Sequence, residues 1–413
     1  MLGVISHRTR PTCWAIALVL SAASGGRRLS AAELPAGEGA SGASLSAAAS
    51  IAHDPVPDDA TLEARRVRIG AIAIRVKDVF DPNQPGENRR FFRAANKLHL
   101  DTREHVISRQ LLFQSGDRFE RRVLDETERL LRADRYLYDA TIEVARYQGN
   151  TVDLLVTTRD VWTLKIGVGV GRSGGANTSH FEVQEYNLLG TGKGLILNRE
   201  VGIDRTATEL RYDDRNLLGS RAQLALAYSD NSDGHQRQLR LERPFFSLDT
   251  RWAASAVALD EKRVDSLYQL GEISGQCRHR RRQFELSAGR SRGLVAGWTN
   301  RFSLGFTYRQ DRFEPFSGSH PTASLPGDRT LAYPWVSLDR VQDRFVEERD
   351  LDQIHRTEDV QLGRELHLRL GLASEALGSD RTAAVFESSV SAGFRPSPRQ
   401  TLTTEARASG RWG

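Results

Sequence analysis

Long apolar runs are missing from this 413-residue chain: beyond the N-terminus nothing approaches the roughly 18 to 20 residues a spanning helix requires. If the chain enters a membrane, it does so with strands. Cysteine is almost absent, with only Cys13 and Cys277. Cys13 falls in a segment expected to be removed, so no intramolecular disulfide is available to the mature chain. Arg10-Pro11-Thr12 precede it in place of the small and aliphatic residues that a lipidation signal needs. A dominant charge sign is also lacking, since Lys+Arg 58 against Asp+Glu 53 leaves a formal +5. Such a small excess is weak ground for nucleic-acid binding.

Catalytic patterns are lacking as well. The ten histidines include no His-Glu-x-x-His, and Cys277 with His279 has no companion ligands, so no metal site is read. No Gly-x-Ser-x-Gly elbow occurs, and Asp213, Asp214, Asp230 and Asp233 fall in turns and strand ends, where solvated charge is the plain explanation. Gly169-Val170-Gly171-Arg172-Ser173-Gly174 matches the dinucleotide glycine pattern, but Gly175-Ala176-Asn177-Thr178-Ser179 supplies no helix to hold a pyrophosphate. Gly192-Lys193-Gly194 lacks the Ser or Thr and the spacing of a phosphate loop. Neither an enzyme nor a cofactor is expected.

What is present begins with a leader. His7, Arg8 and Arg10 precede the apolar run to Leu20, and Ser21-Ala22-Ala23 has the small residues of a cleavage site, so 1–23 reads as a secretory signal peptide. An Ala/Gly/Ser-rich stretch follows that cannot bury a core, and 24–64 reads as a flexible linker. A soluble domain is expected over 65–160. Val67 to Val76 alternates with enough β-branched residues for a strand covered on both faces. Asp81 to Gly86 is a loop by its breakers, and Asn88 to Leu98 an inserted turn or short helix. Asp101-Thr102-Arg103-Glu104 has the capping-box pattern for a helix running to about Phe113. Gln114-Ser115-Gly116-Asp117 stops it, and a second helix from about Arg118 to Ala133 groups Val123, Leu124, Thr127, Leu130 and Leu131 on one face. Strands Tyr138–Tyr147 and Thr151–Thr158 follow around Gln148-Gly149-Asn150. The order is β-α-α-β-β.

After Arg159-Asp160-Val161-Trp162 only strands and turns are read, over 161–413. Leu164, Ile166, Val168 and Val170 alternate with Lys165, Gly167, Gly169 and Gly171, the period of a strand with one oily face. Asn187-Leu188-Leu189-Gly190 recurs as Asn216-Leu217-Leu218-Gly219, so successive hairpins reuse one turn. Phe302, Leu304, Phe306 and Tyr308 against Arg301, Ser303, Gly305, Thr307 and Arg309 show the same alternation, as do Phe284 to Ala288 and Leu366 to Leu370. Periodicity alone fits a soluble sandwich with its oily face inward or a membrane barrel with its oily face outward. The signal and the soluble domain favour the barrel. On that reading Asn187–Gly192, Asn216–Ser220 and Pro244–Asp249 are short turns on the soluble domain's side. Phe313 to Arg329 is too long for such a turn and Pro396-Ser397-Pro398 too short for an outer loop, so orientation in the last third stays unassigned. Arg278, Arg280, Arg281 and Arg282 form a basic cluster that fits anionic lipid headgroups or, more plainly, solvated or lumenal charge.

The βααββ order, with Gly116-Asp117 before its second helix and Tyr136-Leu137-Tyr138 entering its second strand, resembles a polypeptide-transport-associated (POTRA) domain. Joined to Trp162, the oily alternating strand and Asn187-Leu188-Leu189-Gly190-Thr191-Gly192, it resembles the BamA/TamA superfamily (surface antigen family) over roughly Arg66 to Gly413. The resemblance implies an α+β periplasmic domain followed by an antiparallel transmembrane β-barrel in the bacterial outer membrane. It implies insertion or translocation of other polypeptides without a cofactor. Expected partners are client polypeptides, outer-membrane lipid or lipopolysaccharide, and periplasmic chaperones or accessory proteins, with no nucleic acid. Two client-pairing edges are expected: Thr163, Leu164, Lys165, Ile166, Gly167, Val168, Gly169 and Val170 in the first barrel strand, and Asp139, Ala140, Thr141, Ile142, Glu143, Val144 and Ala145 in the soluble domain. A two-partner-type secretion transporter and a passive porin-like channel are the alternatives. The family's barrel has about 16 strands and a Val/Leu-Arg-Gly-Tyr/Phe lumen motif. Arg292-Gly293-Leu294 does not fit that motif and Arg411-Trp412-Gly413 falls within a strand, so the barrel is expected to be incomplete, at about 12–14 strands, as the N-terminal part of a longer one.

Overall fold

The computed structural model describes residues 56–84, 86–173, 175–316, 325–349, 351, 356–397 and 400–413, and the backbone of 15–24. In chain order, strand β1 (Ala15–Ser24) precedes a small α+β unit made of α1 (Asp59–Ala64), β2 (Arg68–Lys77), α2 (Arg90–Leu98), α3 (Glu104–Ser108), α4 (Arg121–Arg132), β3 (Leu137–Gln148) and β4 (Thr151–Asp160). β4 lies in the middle of this unit's sheet, parallel to β2 and antiparallel to β3. The β3–β4 hairpin turns at Gly149, whose φ of 62° is open to glycine. Val152, Leu154, Val156 and Thr158 of β4 are buried on one face, against Leu62, Ile107, Phe119, Leu124 and Leu131. One core therefore unites the helices with the sheet.

Three local expectations are corrected here. The stretch 24–64, read as flexible linker, contains α1 at its described end, capped by Asp58 onto the Thr61 amide at 2.8 Å and pinned by the fully buried Leu62. β2 is covered on one face only, with Ala71, Ala73 and Arg75 exposed. The capping box does not form: α3 is 5 residues long, its N-cap is Arg103, and the Arg103 amide donates instead to the Gly190 carbonyl at 3.0 Å. Tertiary contact with a barrel turn has replaced the local cap.

The second unit is one 14-stranded antiparallel sheet in the order β1-β19-β18-β17-β14-β13-β12-β11-β10-β9-β8-β7-β6-β5. Its strands are β5 (Leu164–Ser173), β6 (Ala176–Glu185), β7 (Lys193–Val201), β8 (Thr206–Asp214), β9 (Gln223–Asn231), β10 (Gly234–Arg243), β11 (Trp252–Gln269), β12 (Glu272–Val295), β13 (Trp298–Pro315), β14 (Arg329–Gln342), β17 (Arg364–Ala373), β18 (Ala383–Ser397) and β19 (Gln400–Trp412). Between β14 and β17 a separate hairpin, β15 (Phe345–Arg349) and β16 (Thr357–Gln361), is inserted. Residues 1–14 of the expected signal peptide lie outside the described residues. The rest of that segment runs antiparallel along β19, from Ala15 opposite Ser409 to Ser24 opposite Gln400. A sheet edge offers unpaired amides and carbonyls to any extended apolar segment of its own chain.

The repeated turn is repeated in geometry. Leu189 (φ 54°) and Gly190 (φ 71°) match Leu218 (φ 53°) and Gly219 (φ 75°). Both turns lie at the soluble domain's end of the sheet, as does the β10–β11 turn. From there the alternation of strand direction fixes the strand ends: Pro315 of β13, Arg329 of β14 and the segment 374–382 lie at the far end, and the hairpin of β15 and β16, Ser397 of β18 and Gln400 of β19 lie at the domain end. The unassigned last third thus resolves. β11 and β12 are 18 and 24 residues long, so β13 ends at the far side and β18 ends on the near side.

The choice between sandwich and barrel is settled by which face is exposed. Ile166, Val168, Phe302, Leu304, Val336 and Leu372 are each more than half exposed. Their strand neighbours turn inward into ion pairs: Arg369 meets Glu285 at 2.8 Å beneath Trp335, and Asp311 gathers His279, Arg281 and Arg309 at 2.8–2.9 Å. A broad apolar outer face over a charged interior is the arrangement that lipid covers.

Candidate functional site: sheet edges and the docked helix

β5 ends the large sheet. β6 pairs with one of its edges from Leu164↔Glu185 to Ser173↔Ala176, and among the described residues no strand pairs with the other. Exposure along it rises from Leu164 (40%) through Ile166 (67%) and Val168 (76%) to Val170 (86%). Gly167 and Gly169 take the opposite face, where a side chain would meet Glu182 and His180. Thr163, by contrast, is buried at the junction with the soluble domain. The glycine pattern from Gly169 runs into the β5–β6 hairpin with no helix following.

In the soluble domain, the edge expected at Asp139 to Ala145 is occupied at Ala140 and Ile142. The Ile142 amide donates to Glu128 at 2.5 Å, and Arg121 and Arg132 donate to the carbonyls of Ile142 and Ala140, each at 3.1 Å. Helix α4 therefore takes, at these two residues, the hydrogen-bonding places that an incoming strand would have used. The opposite edge, on β2, is closed only at its start, where Gly116 and Asp117 bond to Ile69. From Ile72 to Lys77 no strand lies on β2's outer side among the described residues. The bulge below this stretch depends on Gly70, whose Cβ would collide with the Asp153 carboxylate that holds the Ala71 amide.

α4 also joins the two units, a role its sequence does not announce. Its Arg121/Asp125, Arg122/Glu126 and Glu128/Arg132 pairs sit at the i,i+4 spacing of a solvated helix face. In the fold Glu126, Glu128 and Arg132 are buried. Glu126 accepts from the Leu248 amide at 2.6 Å and Arg122 meets Asp249 at 2.6 Å, both on the β10–β11 turn. Arg132 forks onto Asp359 at 2.7 and 2.8 Å and reaches Glu347 at 2.8 Å on the inserted hairpin, while Arg129 stacks 4.3 Å over Phe345. Burial alone would lower the Arg132 pKa, but its carboxylate partners more than reverse this, and it stays charged. Burial raises the carboxyls of Glu126 and Glu128 above their ordinary values despite their amide and arginine partners. Glu126, Arg129 and Leu130 line the same cavity as Arg301, Asp339 and His367 of the sheet's inner face, so α4 lies across the domain-side mouth of the lumen.

The turns complete the docking. Asn187 donates to Thr102 at 2.8 Å, Arg215 pairs with Asp134 at 2.7 Å, and Arg221 donates to the Leu111 carbonyl at 2.8 Å. A Cβ at Gly190 would strike the Asp101 carbonyl, and one at Gly192 would lie 2.9 Å from Val106. These glycines combine positive φ with close approach. Beside them His99, Asp101 and Asp160 bring ligand-type atoms within 4.8 Å of one another. His99 contacts Asp160 at 2.9 Å, and the same Asp160 oxygen accepts from the Thr102 amide at 2.7 Å. We read the group as an ion-paired anchor at the junction. Burial pulls the His99 pKa down, but Asp160, with Asp101 and Glu185, raises it overall.

No protein-family model and no curated protein matches the sequence. Several solved structures are similar. BamA from Haemophilus ducreyi lacking POTRA domains 1–3 is 15% identical, with a TM-score of 0.33, over 83% of this chain and 56% of that one. CdiB from Acinetobacter baumannii is 10% identical (TM-score 0.36; 84% and 74% covered), and CdiB from Escherichia coli 9% (0.32; 83% and 76%). The chain thus spans little more than half the BamA structure. At these scores the likeness carries no functional weight.

Proposed function

We propose that this chain is an outer-membrane β-barrel protein that inserts or translocates other polypeptides, with its α+β domain on the periplasmic side. The observation that carries the proposal is β5: a strand with an apolar lipid-facing side, one paired edge, and one edge without a strand partner among the described residues. Unmet amides and carbonyls cost several kcal/mol each in lipid, and a client strand with the same alternation would meet them. The β2 edge from Ile72 to Lys77 is the matching receiver for an extended segment before it reaches the membrane. Helix α4 across the lumen mouth supports this reading over a passive channel, which would need that route clear.

Photo-crosslinkers at Ile166 and Val168, at Ala73, and at Leu226 in the middle of the sheet test it. Adducts with newly made barrel polypeptides are expected at the first three positions and not at Leu226. Equal yields at all four would refute it.

A further inference from the structure

The arginines from Arg278 to Arg282 do not act as one cluster. Arg281 turns inward to Asp311 and Glu261, whereas Arg280 and Arg282 continue the outward, exposed series that ends in Phe284 and Leu286. Register then builds a row across four strands: His235 of β10 lies opposite Lys262 of β11, Lys262 opposite Arg280 of β12, and Arg280 opposite Arg312 of β13. The next rung toward the domain is Arg237, Asp260, Arg282 and Gln310. The rung after that is apolar, with Leu239, Ala258, Phe284 and Tyr308.

Like charges directly opposite one another destabilise a sheet, so the upper row calls for an anion. Asp260 is the carboxylate within reach, and it is shared by His235 at 3.4 Å, Arg282 at 3.5 Å and Arg280 at 3.7 Å. Lys262 and Arg312 have no ion pair among the described residues. One rung above the row, Glu314 stands opposite Arg278. Toward the domain from the β10–β11 end of the row, and extending sideways to β8, Leu210, Leu226, Tyr228, Leu239 and Ala258 form an outward apolar groove of about 630 Å³, rimmed by Arg237, Asp260 and Arg282.

We infer that this outer face binds an acylated, multiply phosphorylated lipid of the leaflet away from the soluble domain. Its phosphates lie on Lys262, Arg280 and Arg312, and an acyl chain lies in the groove. Two interstrand spacings separate Lys262 from Arg312, roughly 10 Å, a width that suits two phosphates better than one. The inference rests on the barrel being membrane-embedded with its domain periplasmic.

The test is native mass spectrometry of the full chain in non-ionic detergent, titrated with bisphosphorylated lipid A, its monophosphorylated form, phosphatidylglycerol or phosphatidylethanolamine. Bisphosphorylated lipid A is expected to bind tightest and phosphatidylethanolamine weakest. K262Q/R280Q/R312Q should weaken lipid A binding on the order of a hundredfold, about fivefold per charge. If the triple variant does not fold, K262Q and R312Q singly should each show about a fivefold loss. Unchanged binding in the variants, or equal binding of phosphatidylethanolamine, overturns the lipid site while leaving the barrel intact. A chain that does not enter bilayers at all overturns the membrane reading, and the site with it.

Discussion

Replacing Arg132 with alanine should release the inserted hairpin from the soluble domain. The guanidinium is 4% exposed and holds Asp359 (14%), Glu128 (7%) and Glu347 (59%), together with the Ala140 carbonyl. Removing one partner of a buried pair costs about 3–5 kcal/mol. Water can reach Glu347 and part of Asp359, and Glu128 keeps Arg121 and the Ile142 amide, so the low end, about 3 kcal/mol, applies. The share that spans the two units runs through Asp359 and Glu347, and about 2 kcal/mol there would raise the released population roughly 30-fold. Hydrogen exchange on the full chain should therefore quicken by about that factor at Phe345–Arg349 and Thr357–Gln361, with β12 and β13 unaffected. D359A should give much the same acceleration and the double variant little more, because the two residues form one contact. R132K should fall between, since an ammonium keeps the charge and loses the fork. Unchanged protection of the hairpin in R132A would refute the latch.

Two further outcomes follow from the junction. G190A should loosen the turn against Asp101 by at least about 2 kcal/mol, since it combines positive φ with a steric collision, and exchange at Thr102 and Arg103 should rise. G271A, at φ 88° with open space, should cost only about 1 kcal/mol. His99 has a raised pKa in the fold, so its stabilising share is fully present below pH 6.5 and is lost as pH rises through the raised value. Chemical denaturation from pH 6 to 9 should show that loss, and H99Q should remove it.

Local chemistry was legible in the sequence and tertiary coverage was not. The alternation from Leu164 to Val170 and the paired Asn-Leu-Leu-Gly turns identified their elements because period and turn type are properties of a few adjacent residues. The turns' closeness to Asp101 and Arg109 explains their glycines, but it becomes visible only when the two units are brought together. Asp139 to Ala145 looked open because nothing in a strand's own residues reveals that Glu128 and Arg132 of the preceding helix will sit on its edge at Ala140 and Ile142. The charges of α4 misled for the same reason: an i,i+4 pair reads alike whether it faces water or a barrel turn. Strand lengths caused the lost parity, since β11 and β12 run far past the ten or so residues that cross a bilayer.

The central claim is that the oily face of the sheet meets lipid. A single environment-sensitive fluorophore placed in turn at each position from 302 to 308, in a C13S/C277S chain reconstituted with brominated phospholipid, reads this directly. Strong quenching is expected at 302, 304, 306 and 308 and weak quenching at 303, 305 and 307. Uniformly weak quenching, or the opposite alternation, would contradict that claim.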